Sequence, residues 1–470
     1  MRTTPVVCLL VVLAMLMFEG DPGAQGGRGG GAAALFASAD ANKDAAVTRD
    51  ELTAAFARWF AEWDAGKTGA LSQQQLLAGL NSTIPIVQNQ TPNPEHVQAM
   101  IAALPAKAAV QPKSPRRVLV LARAAGFVHS SIPLAARTIE EMGKKTGAWT
   151  ATTTYDAADI DAQNLKQYDA IFLASTTGHF LDDPKDPAAT AARRQALLEF
   201  VRNGKGLAGI HAASDSYHRT AGAPGGGGFS PHTALATQLL AQGDQNGDKQ
   251  LSREEAGAVA AAWFAKMDTE NAGRIRQQDL AARASLVMPP PAPRPSPAPT
   301  GATGFPIQGP ATQLKPDTEE GTWPEFNRML GGFFKFHWND GQLIHVKVDD
   351  PDHPLNAPFK GKSQLQIVDE TYTFGRNVYS RSNLRVLTSV DYDKMSAEDK
   401  AKEQHPRDDG DYALSWIRRE GKGRVFYEAH GHNEKVYAIA PLLEHVMLGV
   451  QYVLGDLPAD DSPSVKGGTK

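Results

Sequence analysis

Six side chains of this 470-residue chain are the candidates for chemistry: His129, His211, His337, Asp369, Glu370 and His432. Each follows an apolar or glycine-bounded strand-like run and is flanked by small or aromatic residues, which is the setting of an active-site loop. Imidazoles can stabilise an oxyanion, shuttle a proton near neutral pH or bind a divalent metal, and a carboxylate can act as a base or orient a histidine. The linear spacing contains no HExxH and no compact ligand pair, so it does not define a metal centre by itself. Taken singly, each histidine reads as a structural hydrogen bonder or an exposed loop residue. Their shared place at strand ends is what points to a pocket. Asp369 and Glu370 are adjacent and on a strand would face opposite ways, which argues against a glycosidase carboxylate pair.

A second group of residues has the spacing of a calcium loop. Asp40, Asn42, Asp44 and Glu51 occupy positions one, three, five and twelve, with Ala46 at the backbone-carbonyl position seven. Ala45 stands where a glycine normally permits the sharp turn. A second loop from Asp64 keeps its glycine, Gly69, but has Gly66, Thr68 and Gln75 at the ligand positions and is expected to bind calcium poorly. The arrangement recurs far along the chain. Asp244, Asn246, Asp248, Gln250 and Glu255 match, with Lys249 replacing the glycine, and a weaker loop from Asp268 to Asp279 offers Asp268 and Glu270. The expectation is a duplicated EF-hand-like two-loop module holding Ca2+, with packing of both pairs into one four-loop unit as the alternative.

The elements that must position the six side chains begin with Val118 to Leu121, a β-branched apolar run with the length of a buried strand. Asp169 to Ser175 and Gly206 to Ile210 follow in the same style. His129, His179 and His211 then lie just past three strand ends, where open parallel sheets bind ligands. Further strands are expected at 343–348, 365–368, 384–390, 413–418 and 423–428, with a closing helix over 439–454. The fold class is therefore α/β with a mostly parallel open sheet, flavodoxin-like, plus two helical modules. The domain reading is a signal peptide at 1–25, a loop pair at 34–81, a linker at 82–115 and the first part of the α/β domain at 116–220. An insertion at 221–310 carries the second loop pair and a proline-rich linker. The α/β domain resumes at 311–455, and 456–470 is a polar tail.

A formal charge of -4 with no basic block makes nucleic acid an improbable partner. Arg2 and the apolar run from Pro5 to Phe18 are short for a membrane span and have the shape of a secretory signal, cleaved among residues 20–27. The expected location is secreted or periplasmic, with no stable membrane span after cleavage. Cys8, the only cysteine, lies inside that run, so the mature chain has no disulfide, no thiolate ligand and no cysteine nucleophile.

The segments GFVHS, GKGLAGIHAA, MLGGFFKFH, DPDHP, DETY and GKGRVFYEAHGHN, in this order, resemble the ThuA-like (trehalose utilisation) family over about residues 116–220 and 311–455. That family's fold is similar to the class I glutamine amidotransferases, which carry a cysteine at the turn after the strand equivalent to Gly206–Ile210. His211 stands there in this chain, so the resemblance carries no thioester or glutaminase chemistry with it. It implies that His129, His211, His337, Glu370 and His432 form a polar pocket acting on a trehalose-related or keto sugar. His211 or His432 would polarise a carbonyl or hydroxyl, Glu370 or Asp369 would move a proton, and Tyr372 and Trp338 would stack on the sugar face. A second divalent metal could replace part of the histidine role. Three classes stay open: a sugar-acting hydrolase, lyase or isomerase; a noncatalytic carbohydrate-binding protein; and a calcium-stabilised envelope scaffold.

Overall fold

The apolar runs assemble into one nine-stranded sheet in the computed structural model, which describes residues 35–83, 88–183, 185–218, 231–284, 286–287, 321–338, 341–362, 365–402, 406–407 and 409–465. The signal segment 1–25 and the proline-rich stretch lie outside the described residues. The strands in chain order are β1 (Arg117–Leu121), β2 (Thr150–Thr154), β3 (Ala170–Ala174), β4 (Gly206–Ile210), β5 (Leu343–Val348), β6 (Leu365–Val368), β7 (Arg385–Val390), β8 (Ala413–Glu420) and β9 (Gly423–Glu428). Their spatial order is β6-β5-β7-β8-β9-β4-β3-β1-β2.

The pairing corrects the expectation of a mostly parallel sheet. Parallel ladders join β9, β4, β3, β1 and β2, whereas every neighbour pair from β6 to β9 is antiparallel. The connections explain the split. Helix Ile132–Thr146 joins β1 to β2 and helix Pro187–Arg202 joins β3 to β4, and crossovers of that kind return the chain parallel. The tight turn between Glu420 and Gly423 permits only a hairpin. The helix over 132–146 starts at a proline in its first turn, ends on Gly147 in the left-handed region and buries Ile132, Ala135, Ala136, Ile139 and Met142, a helical stripe. Helix Ala440–Val453 is buried on nearly every face, as a helix enclosed by the core must be.

A second, separate core joins residues 35–80 to 235–287. Four loops between short helices line its surface, and each loop has left-handed backbone at the same two positions. These are Lys43 and Ala45, Lys67 and Gly69, Gly247 and Lys249, and Asn271 and Gly273. The two-residue offset repeats the sequence period, and non-glycine residues take the conformation at five of the eight places. The pairing is crossed. Ala46–Thr48 of the first loop pairs with Arg274–Arg276 of the fourth, and Ala70–Ser72 of the second with Gln250–Ser252 of the third. The described residues of these two stretches, 35–83 and 231–287, are thus not two separate modules. They form one four-loop body, because each short strand finds its partner in the other segment.

Candidate functional site

Because β1, β4 and β9 belong to the parallel half, their carboxyl ends share one edge, and a histidine follows each. His129 sits in the loop after β1, His211 is the first residue past β4, and His432 follows β9. Glu370 enters from the antiparallel half, between β6 and a two-stranded ribbon of Phe334–Trp338 with Thr371–Phe374, whose register sets Tyr372 against His337. One ligand atom from each of His129, His211, Glu370 and His432 lies within 4.8 Å of the other three. His211 Nε2 is 3.2 Å from His129 Nε2 and 3.6 Å from a Glu370 oxygen, and His432 Nδ1 is 3.0 Å from the same oxygen. The other Glu370 oxygen is 3.1 Å from Nδ1 of the half-buried His337.

The backbone around His211 is fixed by its surroundings. Its φ of 46° is in the left-handed region, which a residue with a Cβ occupies only when the structure holds it there. The hydroxyl of Tyr427 donates to the His211 carbonyl at 2.5 Å and is itself 2.8 Å from Ser214 Oγ. His211 Nδ1 is 3.0 Å from the Ala429 carbonyl. A carbonyl only accepts, so the proton is on Nδ1 and the Nε2 lone pair faces His129, the orientation that outer partners impose on metal-binding histidines. Both rings are buried. Burial, followed by charge on neighbouring imidazoles, pushes His129 and His211 far below the ordinary histidine range, so both are neutral and able to donate lone pairs.

Two adjacent acids do different work. The Asp369 carboxylate accepts from the backbone N–H groups of Gly431 at 2.7 Å, His432 at 3.3 Å and Asn433 at 2.8 Å. Burial nonetheless pushes its pKa up to about 6. Asp369 therefore shapes the loop that presents His432, while Glu370 faces the imidazoles. Gly431 has a φ of 142°, and a Cβ there would lie 3.1 Å from the Cβ of His211, so the loop can close onto His211 only with glycine. Ser131 Oγ donates to the Gly431 carbonyl at 2.7 Å and ties the loops after β1 and β9 together.

These distances fit a divalent ion. Ligands around a tetrahedral zinc-like centre with bonds of 2.0–2.1 Å sit about 3.3 Å apart, close to the spacing of the two Nε2 atoms. Three imidazoles, those of His129 and His211 held neutral, and a carboxylate are a suitable donor set, and His129 Nδ1 has no hydrogen-bond partner among the described residues.

Of the six expected residues, His129, His211, Glu370 and His432 converge, His337 touches them through Glu370, and Asp369 acts through the backbone. The aromatic pair departs from expectation. Trp338 is buried, with its Nε1 donating to the Asp399 carbonyl, and Tyr372 is buried with its ring 4.4 Å from that of His211, so neither offers a face to a sugar. His179 lies near the same edge but pairs with Asp182 and stacks over Tyr217. The pair Asp215 and His218, 2.8 Å apart, was missed by reasoning from strand ends. Its only sequence signal is the His-x-x-x-Asp-x-x-His spacing that begins at His211.

The loop acids contact their own turns. Asp40 accepts from Asp44 and Ala45, Asp44 from Ala46, and Glu51 from Asn42 and Thr48. Asp244 accepts from Gly247 and Lys249, Asp248 from Gln250, and Glu255 from Gln245 and Ser252. Asn246 Oδ1 accepts from Asp248, and Asp268 accepts from Ala272 and Gly273, whereas Glu270 is exposed and paired with Arg283.

A family model described as ThuA, trehalose utilisation, matches residues 117–265 and 316–453, more than half of the chain. No curated protein matches. Among solved structures, a thua-like protein from Bacteroides uniformis is 15% identical with a TM-score of 0.41, covering 73% of this chain and 94% of its own. Another from Parabacteroides merdae is 12% identical with a TM-score of 0.34, covering 76% and 100%. No helix among the described residues is long and apolar enough to cross a membrane.

Proposed function

As the chain belongs to the ThuA trehalose-utilisation family, we propose that it acts on a carbohydrate at a divalent metal site formed by His129, His211, Glu370 and His432. The observation that carries this reading is the convergence of those four ligand atoms within 4.8 Å at the carboxyl edge of the parallel strands. When bound, such an ion supplies a Lewis acid for a sugar carbonyl or hydroxyl oxygen. The chain's own groups do the rest. The Ala429 carbonyl and Tyr427 hydroxyl hold His211 in one orientation, Asp369 holds the His432 loop, and Glu370 bridges the cluster to His337. His337 is the more exposed imidazole, and its carboxylate partner suits it to carry a proton at the solvent side of the cleft.

The first and third loops of the helical body are proposed as calcium sites, using the oxygen atoms of Asp40, Asn42, Asp44 and Glu51, with Ala46, and of Asp244, Asn246, Asp248 and Glu255, with Gln250. The loop register, with left-handed backbone at positions four and six, supports this assignment. Calcium there stabilises the body and stays apart from the chemistry. The apolar N-terminal run supports a secreted or periplasmic protein, where calcium is plentiful.

Elemental analysis of the purified chain beside His211→Ala and Glu370→Gln tests the metal site, with turnover on a saccharide panel measured in parallel. The expected outcome is a transition metal and saccharide turnover in the wild type, both lost in the two variants. Metal content that is the same in all three proteins would refute the assignment.

A further inference from the structure

Asp215 and His218 belong to none of the roles assigned so far, yet they sit beside the cluster. Asp215 follows the short 3-10 turn His211–Ser214 that carries His211, and it is 7% exposed. A carboxylate removed that far from water needs a partner, and His218 Nε2 supplies it at 2.8 Å. The His218 ring stacks on Phe333 with centroids 4.2 Å apart and meets Phe334 edge-on at 5.8 Å. Phe334 is half-buried and also touches His337, at 5.8 Å, and Tyr372, at 4.4 Å. One aromatic ring therefore contacts the histidines of two histidine–carboxylate pairs, His218–Asp215 and His337–Glu370.

A purely structural role for His218 is poorly supported by its contacts. The contact between the His218 turn and Thr322 is made by other groups: Thr322 N–H donates to the Tyr217 carbonyl at 2.7 Å, and Thr322 Oγ1 is 3.0 Å from His179 Nε2. Among the described residues the His218 ring makes its polar contact through Nε2, 2.8 Å from Asp215 Oδ1.

We infer that His218, oriented by Asp215, is a second proton-transfer group of this site, and that Phe334 is the platform on which the apolar face of a saccharide ring rests between His218 and His337. The inference rests on the carbohydrate reading given above. In the transfer, the Nδ1 lone pair of His218 takes the proton of a substrate hydroxyl, and the O–H electron pair stays on the oxygen. Return of the proton from Nδ1 to a substrate oxygen restores the neutral imidazole, so neither oxidant nor reductant is required. His218 would touch substrate, whereas Asp215 is a positioning residue acting through it.

Diethyl pyrocarbonate labelling of the full chain, mapped by peptide mass spectrometry with and without trehalose or glucose, tests the placement. Protection of both His218 and His337 by a saccharide is the expected result. Protection of His337 with His218 labelled at its free rate would overturn the His218 assignment and leave the carbohydrate reading standing. Protection of neither would sink both. Kinetics supply the second test, in variants that retain wild-type metal content and circular dichroism. His218→Gln should lose about 10²-fold or more in kcat, the usual contribution of a general acid or base, and unchanged turnover would refute the role. Asp215→Asn should lower kcat with KM unchanged, and Asp215→Glu should restore part of the loss. A KM effect without a kcat effect would rule out orientation of His218.

Discussion

Acid should destabilise the α/β body through its histidine cluster, and a single substitution isolates the effect. His129 and His211 are held neutral by burial. In the unfolded chain each imidazole takes up a proton near pH 6.5, whereas in the folded chain it stays neutral to much lower pH. Below about pH 6.5 the unfolded state therefore binds more protons, and stability present above that pH is lost as the pH falls. Each such histidine contributes a slope of about 1.4 kcal/mol per pH unit. Two buried acids oppose it. Burial raises Asp215 and lifts Asp369 to about 6, so each is protonated in the folded chain at a higher pH than in the unfolded one and adds stability as the pH falls between its own two values. His129→Gln leaves the acids in place and removes one histidine. Between about pH 6.5 and 5, its stability should fall less steeply than the wild type's by about 1.4 kcal/mol per pH unit, a large share of the ~5–15 kcal/mol typical of a domain. Urea unfolding in the presence of chelator, read by pulse proteolysis on peptides from β1 to β4 and from β9, reports this body without the helical one. Parallel stability curves for the variant and the wild type over that range would refute the claim that His129 is held neutral.

Two further perturbations test the loop and the helical body. Asp369→Asn removes a carboxylate that accepts from three backbone N–H groups of the His432 loop, so metal affinity measured by competition with a chelator should fall roughly 10–100-fold; an unchanged affinity would show that His432 needs no such support. Calcium should raise the melting temperature of the wild-type helical body and have a smaller effect after Glu51→Gln with Glu255→Gln, since each glutamate is the twelfth-position carboxylate of its loop. An equal rise in the double variant would exclude these two loops as the sites.

The parts of the molecule legible in sequence are those fixed by local pattern. β1, β3 and β4 are apolar runs of strand length and appear where expected, and the loop turns show their spacing even with Ala45 and Lys249 in place of glycine. β2 escaped notice because its sequence, TATTT, lies at the sheet edge and alternates without an apolar run. The ribbon over 334–338 and 371–374 was hidden for another reason. Its pairing joins residues more than thirty positions apart, and register between distant segments leaves no local trace. The crossed pairing of the four loops is invisible for the same reason, since each half carries the same pattern and either partner satisfies it.

The site depends on the sheet being mixed. Parallel strands place His129, His211 and His432 at one edge, but every parallel strand delivers its following residue to that same edge, and imidazoles, which carry no negative charge, would leave a bound cation without a compensating one. The antiparallel half supplies it. The chain leaves β6, passes Asp369 and Glu370 and pairs immediately as a ribbon, so that successive residues point apart: one carboxylate enters the cluster and the other grips the backbone under His432. Adjacency, which weighs against a glycosidase pair, is what lets two acids divide the work between charge and support. The pair at Asp215 and His218 lies where the ribbon's Phe334 meets the turn after β4. Both halves of the sheet therefore contribute to the four-residue cluster, and a chain with only the parallel half would keep three of its four ligand residues and lose the carboxylate.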